Sequence, residues 1–220
     1  MSGTNSNPSL QVTVSSKQIL AISLPIALAI MVPQVNFVIN NIFLGALSSE
    51  AFAIGGITGV FYLIFGVMGQ GLNNGLQALI SRRAGENRVD EIGVLFNQGV
   101  IISVLLSVIA IAFTYFIAPS IFHSVLHDTQ RANSVIEFLK IRIWGIPFLF
   151  IYQMRNALLV GTNQSKFLII GTATEAAFNI FFDYSLIFGH FGFTAMGLNG
   201  AAYASIISEV MGLFVIYLVI

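Results

Sequence analysis

Asn179 and Asp183 are the residues whose types and spacing point most clearly to chemistry inside a membrane. They lie in an apolar run from Phe167 to Phe188 that is long enough to cross a bilayer. A charge at the bilayer centre costs at least about 2.5–3.5 kcal/mol, so a carboxylate there favours a functional role. Residues four apart share one face of a helix, and Glu175 extends the same stripe by one turn.

Three carboxyl groups fall within apolar segments, namely Glu175, Asp183 and Glu209. We place Glu175 and Glu209 near mid-membrane and Asp183 closer to the outside. A carboxyl group in apolar surroundings favours its neutral form, so each of them could hold a proton. With further oxygen ligands, an ionised carboxylate could bind a hard cation such as Na⁺. The alternative is a bond to a neighbouring helix; we favour function for Asp183 and leave both interpretations open for the two glutamates.

The composition is that of a membrane protein. Of 220 residues, 56% are hydrophobic and 8% charged, and the mean hydropathy is +0.89. Soluble domains carry about 25% charged residues, so lipid must be the solvent for much of this surface. The formal net charge of zero argues against a nucleic-acid partner. The lack of cysteine excludes disulfides and thiolate metal sites.

Six apolar segments of roughly spanning length follow one another along the chain. They predict an all-α membrane protein in which residues 17–220 form one bundle of six transmembrane helices, preceded by a polar cytoplasmic tail at residues 1–16. Gly145 and Pro147 should break the fourth segment. The segments run from Gln18 to Leu44, Ala53 to Ile80, Ile92 to Ile117, Val135 to Val160, Phe167 to Phe188 and Met196 to Ile220.

The basic residues predict that the N-terminus is cytoplasmic. That orientation places six of them inside and three outside, as the positive-inside rule requires. The inside group is Lys17, Arg82, Arg83, Arg88, Arg155 and Lys166, and the outside group is Arg131, Lys140 and Arg142. The outside three could instead lie within the head of the fourth segment, which would strengthen the asymmetry.

Amide side chains are concentrated in the first, second and fifth segments. Neutral amides within membranes bond neighbouring helices or line polar cavities, and both roles stay open here. The candidates for cavity lining are Gln34, Asn36, Gln70 and Asn73. The second segment also carries small residues that would let a neighbouring helix approach closely, namely Gly66, Gly69, Gly71 and Gly75.

The sequence gives weak support for a metal site and for enzymatic chemistry. His123 and His127 lie four apart beside Asp128, but no third and fourth metal ligand is evident, so a solvated loop is the better interpretation. Trp144 is placed as an interfacial anchor. No phosphate-binding glycine loop, nucleophile elbow or His-Glu-x-x-His motif occurs, so we expect neither an enzyme nor an ATP-driven pump, and no cofactor beyond a coupling H⁺ or Na⁺.

The sequence ends in an apolar Val-Ile-Tyr-Leu-Val-Ile without a basic flank. No strong internal repeat is visible. We therefore expect either the front part of a longer protein or a half that pairs with a second copy.

Several segments, in order and spacing, resemble the first half of the multidrug and toxic compound extrusion (MATE) transporters. The resemblance covers about Ser15 to Ile220. The matching pieces are Leu24 to Ile26, Asn40 to Gly45, Gly75 to Gly85, Arg142 to Phe148, Asn179 to Gly189 and Met196 to Ser205.

The resemblance implies a fold of two six-helix bundles around a central cleft, of which this chain supplies the N-terminal one. It also implies export of cationic or amphipathic compounds in exchange for H⁺ or Na⁺, by alternating access, in the bacterial inner membrane. Members with an ion site in this bundle use an Asp of helix one, an Asn and an Asp of helix five and a hydroxyl of helix six. Asn179 and Asp183 match the helix-five pair, Ser205 is the nearest match to the hydroxyl, and Pro25 matches a helix-bending proline.

This sequence departs from the family pattern at Asn40, which stands where the helix-one Asp would align. An amide can ligate Na⁺ but cannot hold a titrating proton, so Asp183 is the matched acid, with Glu175 or Glu209 as possible additional acids.

One alternative function is a flippase for lipid-linked saccharides of the same superfamily, which would hold phosphate with Lys140, Arg142 and Arg155. Another is a non-transporting membrane subunit.

Overall fold

The computed structural model describes residues 16–218, without the side chains at 17, 18, 21, 22, 29, 30 and 32–34. The predicted tail and the side chain of Gln34 therefore lie outside the described residues. Over this range the chain forms eight α-helices and no strand, which confirms the all-α class. The helices are α1 (Ser16–Leu47), α2 (Ser49–Gly85), α3 (Val89–Phe116), α4 (Ala118–Val125), α5 (Thr129–Arg142), α6 (Ile146–Gly161), α7 (Leu168–Phe188) and α8 (Leu198–Leu218).

Three of the described helices, α2, α3 and α8, are long and apolar enough to cross a membrane by themselves. The predicted fourth segment consists of α5 and α6, joined by a 3₁₀ turn at Ile143–Gly145. The predicted break at Gly145 and Pro147 is confirmed, since Pro147 lies in the first turn of α6, where its missing N–H costs no helical bond. The count of six spans stays a prediction.

Side-chain caps explain where two of the helices begin. The Ser48 hydroxyl accepts a hydrogen bond from the Ala51 N–H at 3.0 Å and starts α2. The Asp128 carboxylate accepts from the N–H groups of Gln130 and Arg131 at 2.9 and 3.2 Å and starts α5. Asp128 therefore has a structural role that needs no metal.

The turn between α7 and α8 is built on Gly189, whose φ of 78° lies in the left-handed region that favours glycine. The chain then folds back, and the N–H groups of Met196 and Gly197 donate to the carbonyls of Leu186 and Ile187 at 2.8 and 3.2 Å. These bonds pair carbonyls in the last turn of α7 and bring α8 alongside it.

The helix α7 packs mainly against α8 and α1, while α6 packs against α2 and α3. Small residues make the closest contacts possible. A Cβ at Gly200 would lie 2.6 Å from the carbonyl oxygen of Leu186, so α8 touches the backbone of α7 there. Of the four glycines expected to admit a neighbour to α2, Gly69 does so, against Phe150 and Gln153 of α6. The other three meet no atom of the described chain within 4 Å of such a Cβ; these are Gly66, Gly71 and Gly75.

The loop between α2 and α3 is an exposed ion-pair network. Glu86 accepts from Arg82 at 3.0 Å and from Arg83 at 2.7 Å, while Glu91 pairs with Arg83 and Arg88, each at 2.8 Å. The two hydrogen bonds lower the pKa of the Glu86 carboxyl. Such exposed pairs contribute little stability. The three arginines here are balanced by Glu86, Asp90 and Glu91, so the loop concentrates basic residues at this end of the bundle without a net positive charge.

We predict that Gly200→Ala destabilises the bundle, by about 1–3 kcal/mol, because the new methyl group meets backbone of α7 that cannot move aside. The matched control is Gly71→Ala, which adds a methyl group where no neighbour lies within 4 Å. Thermal unfolding of the detergent-purified full-length protein measures both, and equal melting temperatures for the two variants would contradict the α7–α8 contact.

Candidate functional site

Asp183 is the most deeply placed acid of the bundle, with no exposed surface. It lies on the face of α7 that packs against α1 and α8, and Asn179 precedes it by one turn with 3% of its surface exposed. The four-residue spacing therefore places both side chains inside the bundle, as the sequence predicted.

Asn40 of α1 is the direct partner of Asp183. With its amide nitrogen turned towards the carboxylate, Asn40 donates to Oδ2 and Oδ1 of Asp183 at 2.7 and 3.2 Å. In the opposite orientation the same amide nitrogen donates to Oδ1 of Asn179 at 3.4 Å, and the Asn40 oxygen faces Asp183. Both orientations keep α1 bonded to α7, through different atoms.

Asn179 also bonds to α8. Its amide nitrogen donates to the Ser208 hydroxyl at 3.4 Å, and that hydroxyl donates to the Ser205 carbonyl at 2.8 Å. Ser205, the hydroxyl chosen from the sequence, contributes its backbone to this chain of bonds and is itself buried. Ser208 was missed because it lies three residues later on the same face of α8, where only a three-dimensional contact distinguishes it.

A second polar cluster joins α2, α5 and α8. The Arg142 guanidinium donates to both carboxylate oxygens of Glu209, at 2.5 and 3.0 Å, in the bidentate geometry typical of strong pairs. The Tyr62 hydroxyl donates to Glu209 at 3.1 Å and accepts from Arg142 at 2.8 Å, and its ring lies 3.8 Å from the guanidinium. Glu209 is 6% exposed, so this is a buried ion pair.

Gly145 provides the room for this ion pair. A Cβ there would overlap Oε2 of Glu209 and Nη1 of Arg142. The break between α5 and α6 thus serves the cluster, because the 3₁₀ turn that ends at Gly145 lies directly against α8.

Glu175 is half-buried on α7, near enough to Arg142 and Glu209 for their charges to act on it. Among the described residues it has no hydrogen bond or ion pair. The two glutamates that the sequence left undecided therefore differ: Glu209 is engaged in an ion pair and Glu175 is not.

The amides proposed to line a cavity are arranged in two ways. Gln70 and Asn73 bond to Asn74 on their own helix α2, at 3.0 and 3.3 Å, rather than across to another helix. Asn36 and Asn73 are buried, and the side-chain oxygen of each has no partner in the described part of the chain. Pro25 lies inside the continuous helix α1, where it removes one backbone hydrogen bond.

No group of three or more His, Asp or Glu side chains within residues 16–218 could hold a metal ion. The site that the structure assembles is instead one of amides, hydroxyls and carboxyl groups on α1, α7 and α8. Such a site can bind a proton or a small hard cation.

A model of the MatE family matches residues 25–185, which is most of the chain. The chain belongs to this family of membrane transporters. It is 26% identical over 195 residues to the probable multidrug resistance protein NorM of Synechocystis, and 28% identical over 208 residues to that of Thermotoga maritima. It is 29% identical over 197 residues to the multidrug resistance protein MdtK of Cronobacter sakazakii.

These alignments cover 87%, 93% and 87% of this chain, but 41%, 44% and 42% of the relatives. The chain therefore spans less than half the length of the MATE proteins that it matches, and it corresponds to their N-terminal half.

Solved structures show the same fold. An outward-facing MATE transporter of the MOP superfamily superposes with a TM-score of 0.78 at 23% identity, covering 91% of this chain and 44% of that one. A MOP superfamily transporter from Pyrococcus furiosus gives 0.81 at 22%, with 91% and 43% covered. The bundle of this chain is thus a MATE-type half.

We predict that Arg142→Met destabilises the full-length protein by about 3–5 kcal/mol, because Glu209 is left as a buried carboxylate without its counterion. The double variant Arg142→Met with Glu209→Met should recover most of that loss, since no unpaired charge remains. Thermal unfolding of the two single variants and the double variant forms a double-mutant cycle. Additive losses would contradict the coupling of these two residues.

Proposed function

We propose that this chain is the N-terminal bundle of a secondary active antiporter that exports cationic or amphipathic compounds in exchange for H⁺ or Na⁺. The observation that supports the proposal most strongly is Asp183, a fully buried acid whose partner, Asn40, lies on a different helix. Because that contact depends on the charge of Asp183, ion binding can change how α1 packs against α7.

The amide of Asn40 suits both charge states of Asp183. An ionised carboxylate accepts hydrogen bonds, so the Asn40 amide nitrogen faces it at 2.7 Å. A protonated carboxyl has a donor, so the Asn40 oxygen faces it and the amide nitrogen donates to Asn179. We propose that this reversal, in a helix already weakened by Pro25, is how ion uptake acts on α1.

Na⁺ is the alternative coupling ion. It prefers oxygen ligands, and in one orientation the side-chain oxygen of Asn40 lies 2.7 and 3.2 Å from the two carboxylate oxygens of Asp183. The Asn179 oxygen lies 3.4 Å from the amide nitrogen of the same Asn40 side chain and is the third candidate ligand. In the proposed orientation, with the N-terminus cytoplasmic, Asp183 lies five residues before the outer end of α7 at Phe188. It would then take up the ion from outside.

The flippase alternative has less support. Of the three cations that would hold a lipid phosphate, Arg142 is neutralised by Glu209 and Arg155 stacks 4.7 Å from the ring centre of Tyr217. The named relatives are multidrug resistance proteins of bacteria, which favours drug export across the inner membrane and a second six-helix bundle as the partner. A non-transporting subunit gives no account of the buried acid.

We predict that Asp183→Asn in the full-length protein abolishes ion-driven efflux while leaving expression and melting temperature near wild type, because the amide has the shape of the acid but cannot bind the ion. Efflux of ethidium from proteoliposomes under an imposed pH or Na⁺ gradient is the measurement. Asp90→Asn at the exposed start of α3 is the matched control. Normal efflux by the Asp183 variant would refute the proposal.

We predict that Asn40→Leu weakens the apparent affinity for the coupling ion by roughly tenfold or more, because a hydrogen bond to a charged group is lost. Asn40→Asp should instead raise that affinity, since it places a second carboxyl group beside Asp183. Asn41→Leu is the control, because the Asn41 side chain donates to the Phe37 carbonyl of its own helix and to no other described residue. Both are read from efflux rates at a series of ion concentrations, and identical affinities in all three variants would be inconsistent with the role of Asn40.

A further inference from the structure

The described interior of the bundle holds more acids than cations. The charge of Arg142 acts on Glu209, Glu175 and Asp183, but only Glu209 is paired with it. With every group ionised, two carboxylates are left without a counterion. Because uncompensated charge is costly in low dielectric, each of them favours binding one monovalent cation.

No other described charge near Glu175 removes this imbalance. On α1 the sequence places no charged residue after Lys17. On α6, Arg155 stacks on Tyr217, and before α7, Lys166 lies 5.2 Å from the ring centre of Phe167. The titratable and charged groups near enough to act on Glu175 or be acted on by it are Arg142 of α5, Tyr152 of α6 and Glu209 of α8. Asp183 lies eight residues further along α7.

A niche beside Glu175 is formed by two glycines. A Cβ at Gly212 of α8 would lie 3.1 Å from Cβ of Glu175, and one at Gly171 of α7 would lie 2.7 Å from the Tyr152 hydroxyl. Gly171 precedes Glu175 by one turn on the same face of α7. The glycines therefore let Tyr152 and α8 close around the position of this carboxyl group.

Tyr152 is the observation that points to a ligand. Its side chain is 6% exposed, and its buried hydroxyl has no hydrogen-bond partner in the described part of the chain. Buried hydroxyls without partners are rare, because each one costs about 1–3 kcal/mol. The hydroxyl lies beside Gly171, one turn before Glu175 on α7, and it is near enough to Glu175 for that charge to act on it.

We propose that Glu175 and Tyr152 form a second monovalent-cation site, for H⁺ or Na⁺, in the same bundle as the Asp183 site. The proposal rests on the proposed antiport function and specifies its stoichiometry as two cations in each cycle. The sites are eight residues apart on α7, about 12 Å along the helix axis towards its cytoplasmic end.

The second site combines one acid, Glu175, with one neutral oxygen ligand, the hydroxyl of Tyr152. When Glu175 is ionised, the Tyr152 hydroxyl donates to it; when a proton or Na⁺ is bound, the hydroxyl oxygen faces the ligand. Glu209 takes no part in ion binding, since its two oxygens are held by Arg142 and Tyr62. Arg142 nevertheless sets the affinity of the site, because its charge opposes the entry of a cation.

The test is the coupling ratio of the full-length protein in proteoliposomes with the membrane voltage clamped at zero. At flux balance, a tenfold ion gradient holds an ethidium gradient of about a hundredfold for two coupled ions and about tenfold for one. We expect the hundredfold value for wild type and for the control Glu137→Gln, a glutamate exposed on α5. We expect the tenfold value, with efflux still ion-driven, for Glu175→Gln.

The possible outcomes distinguish the second cation site from the antiport proposal on which it rests. A tenfold balance in wild type, or an unchanged balance in Glu175→Gln, overturns the second site, whereas ion-driven efflux in Asp183→Asn overturns the antiport proposal itself. Repeating the measurement with a Na⁺ gradient at equal pH, and with a pH gradient free of Na⁺, identifies the cation.

Two further variants keep the proposal testable if Glu175→Gln does not fold. Glu175→Asp keeps the acid and should keep the hundredfold balance. Tyr152→Phe removes only the hydroxyl, and we expect the wild-type balance with roughly tenfold weaker apparent ion affinity. An unchanged affinity in Tyr152→Phe would overturn the pairing of this hydroxyl with Glu175.

Discussion

The balance of charge around Arg142 is the constraint on which the interior of this bundle depends. The charge of its guanidinium acts on three carboxyl groups, and the structure pairs it with one of them, Glu209. That pair needs the Tyr62 hydroxyl, the missing side chain at Gly145 and the interruption between α5 and α6. A helix break is thus linked to the placement of one ion pair, and the remaining acids are the ones to which we assign cation binding.

The close contacts between helices follow from the same need to bury polar groups. Burying a polar stripe on α7 requires that α1 and α8 approach it, and α8 does so at Gly200 and Gly212. The small residues that matter are those that face polar partners or backbone. On α2, by contrast, Gly71 meets nothing in the described chain, so small residues in an apolar segment are not by themselves evidence of a helix contact.

The sequence predicted local features well and distant contacts poorly. The buried face shared by Asn179 and Asp183 follows from helical spacing, and the break at Gly145 follows from residue type. The pairing of Arg142 with Glu209 joins residues 67 apart, and no spacing rule brings such residues together. From the sequence Arg142 counted either as an outside charge or as part of the head of the fourth segment, and the structure places it in the last turn of α5 with 13% of its side chain exposed.

An amide at position 40 changes how this half can respond to an ion. Two neighbouring acids compete for protons, and ion binding to one of them changes the repulsion between the two. Where an amide lies beside a single acid, the amide changes its orientation instead, because the same group can donate to a carboxylate or accept from a carboxylic acid. Asn179 bonds to Asn40 on α1 and to Ser208 on α8, so the amides beside Asp183 connect all three helices. Asp183 is the only acid at that position, so the second cation that we propose needs another acid, and Glu175 is the acid whose charge the described structure leaves unpaired.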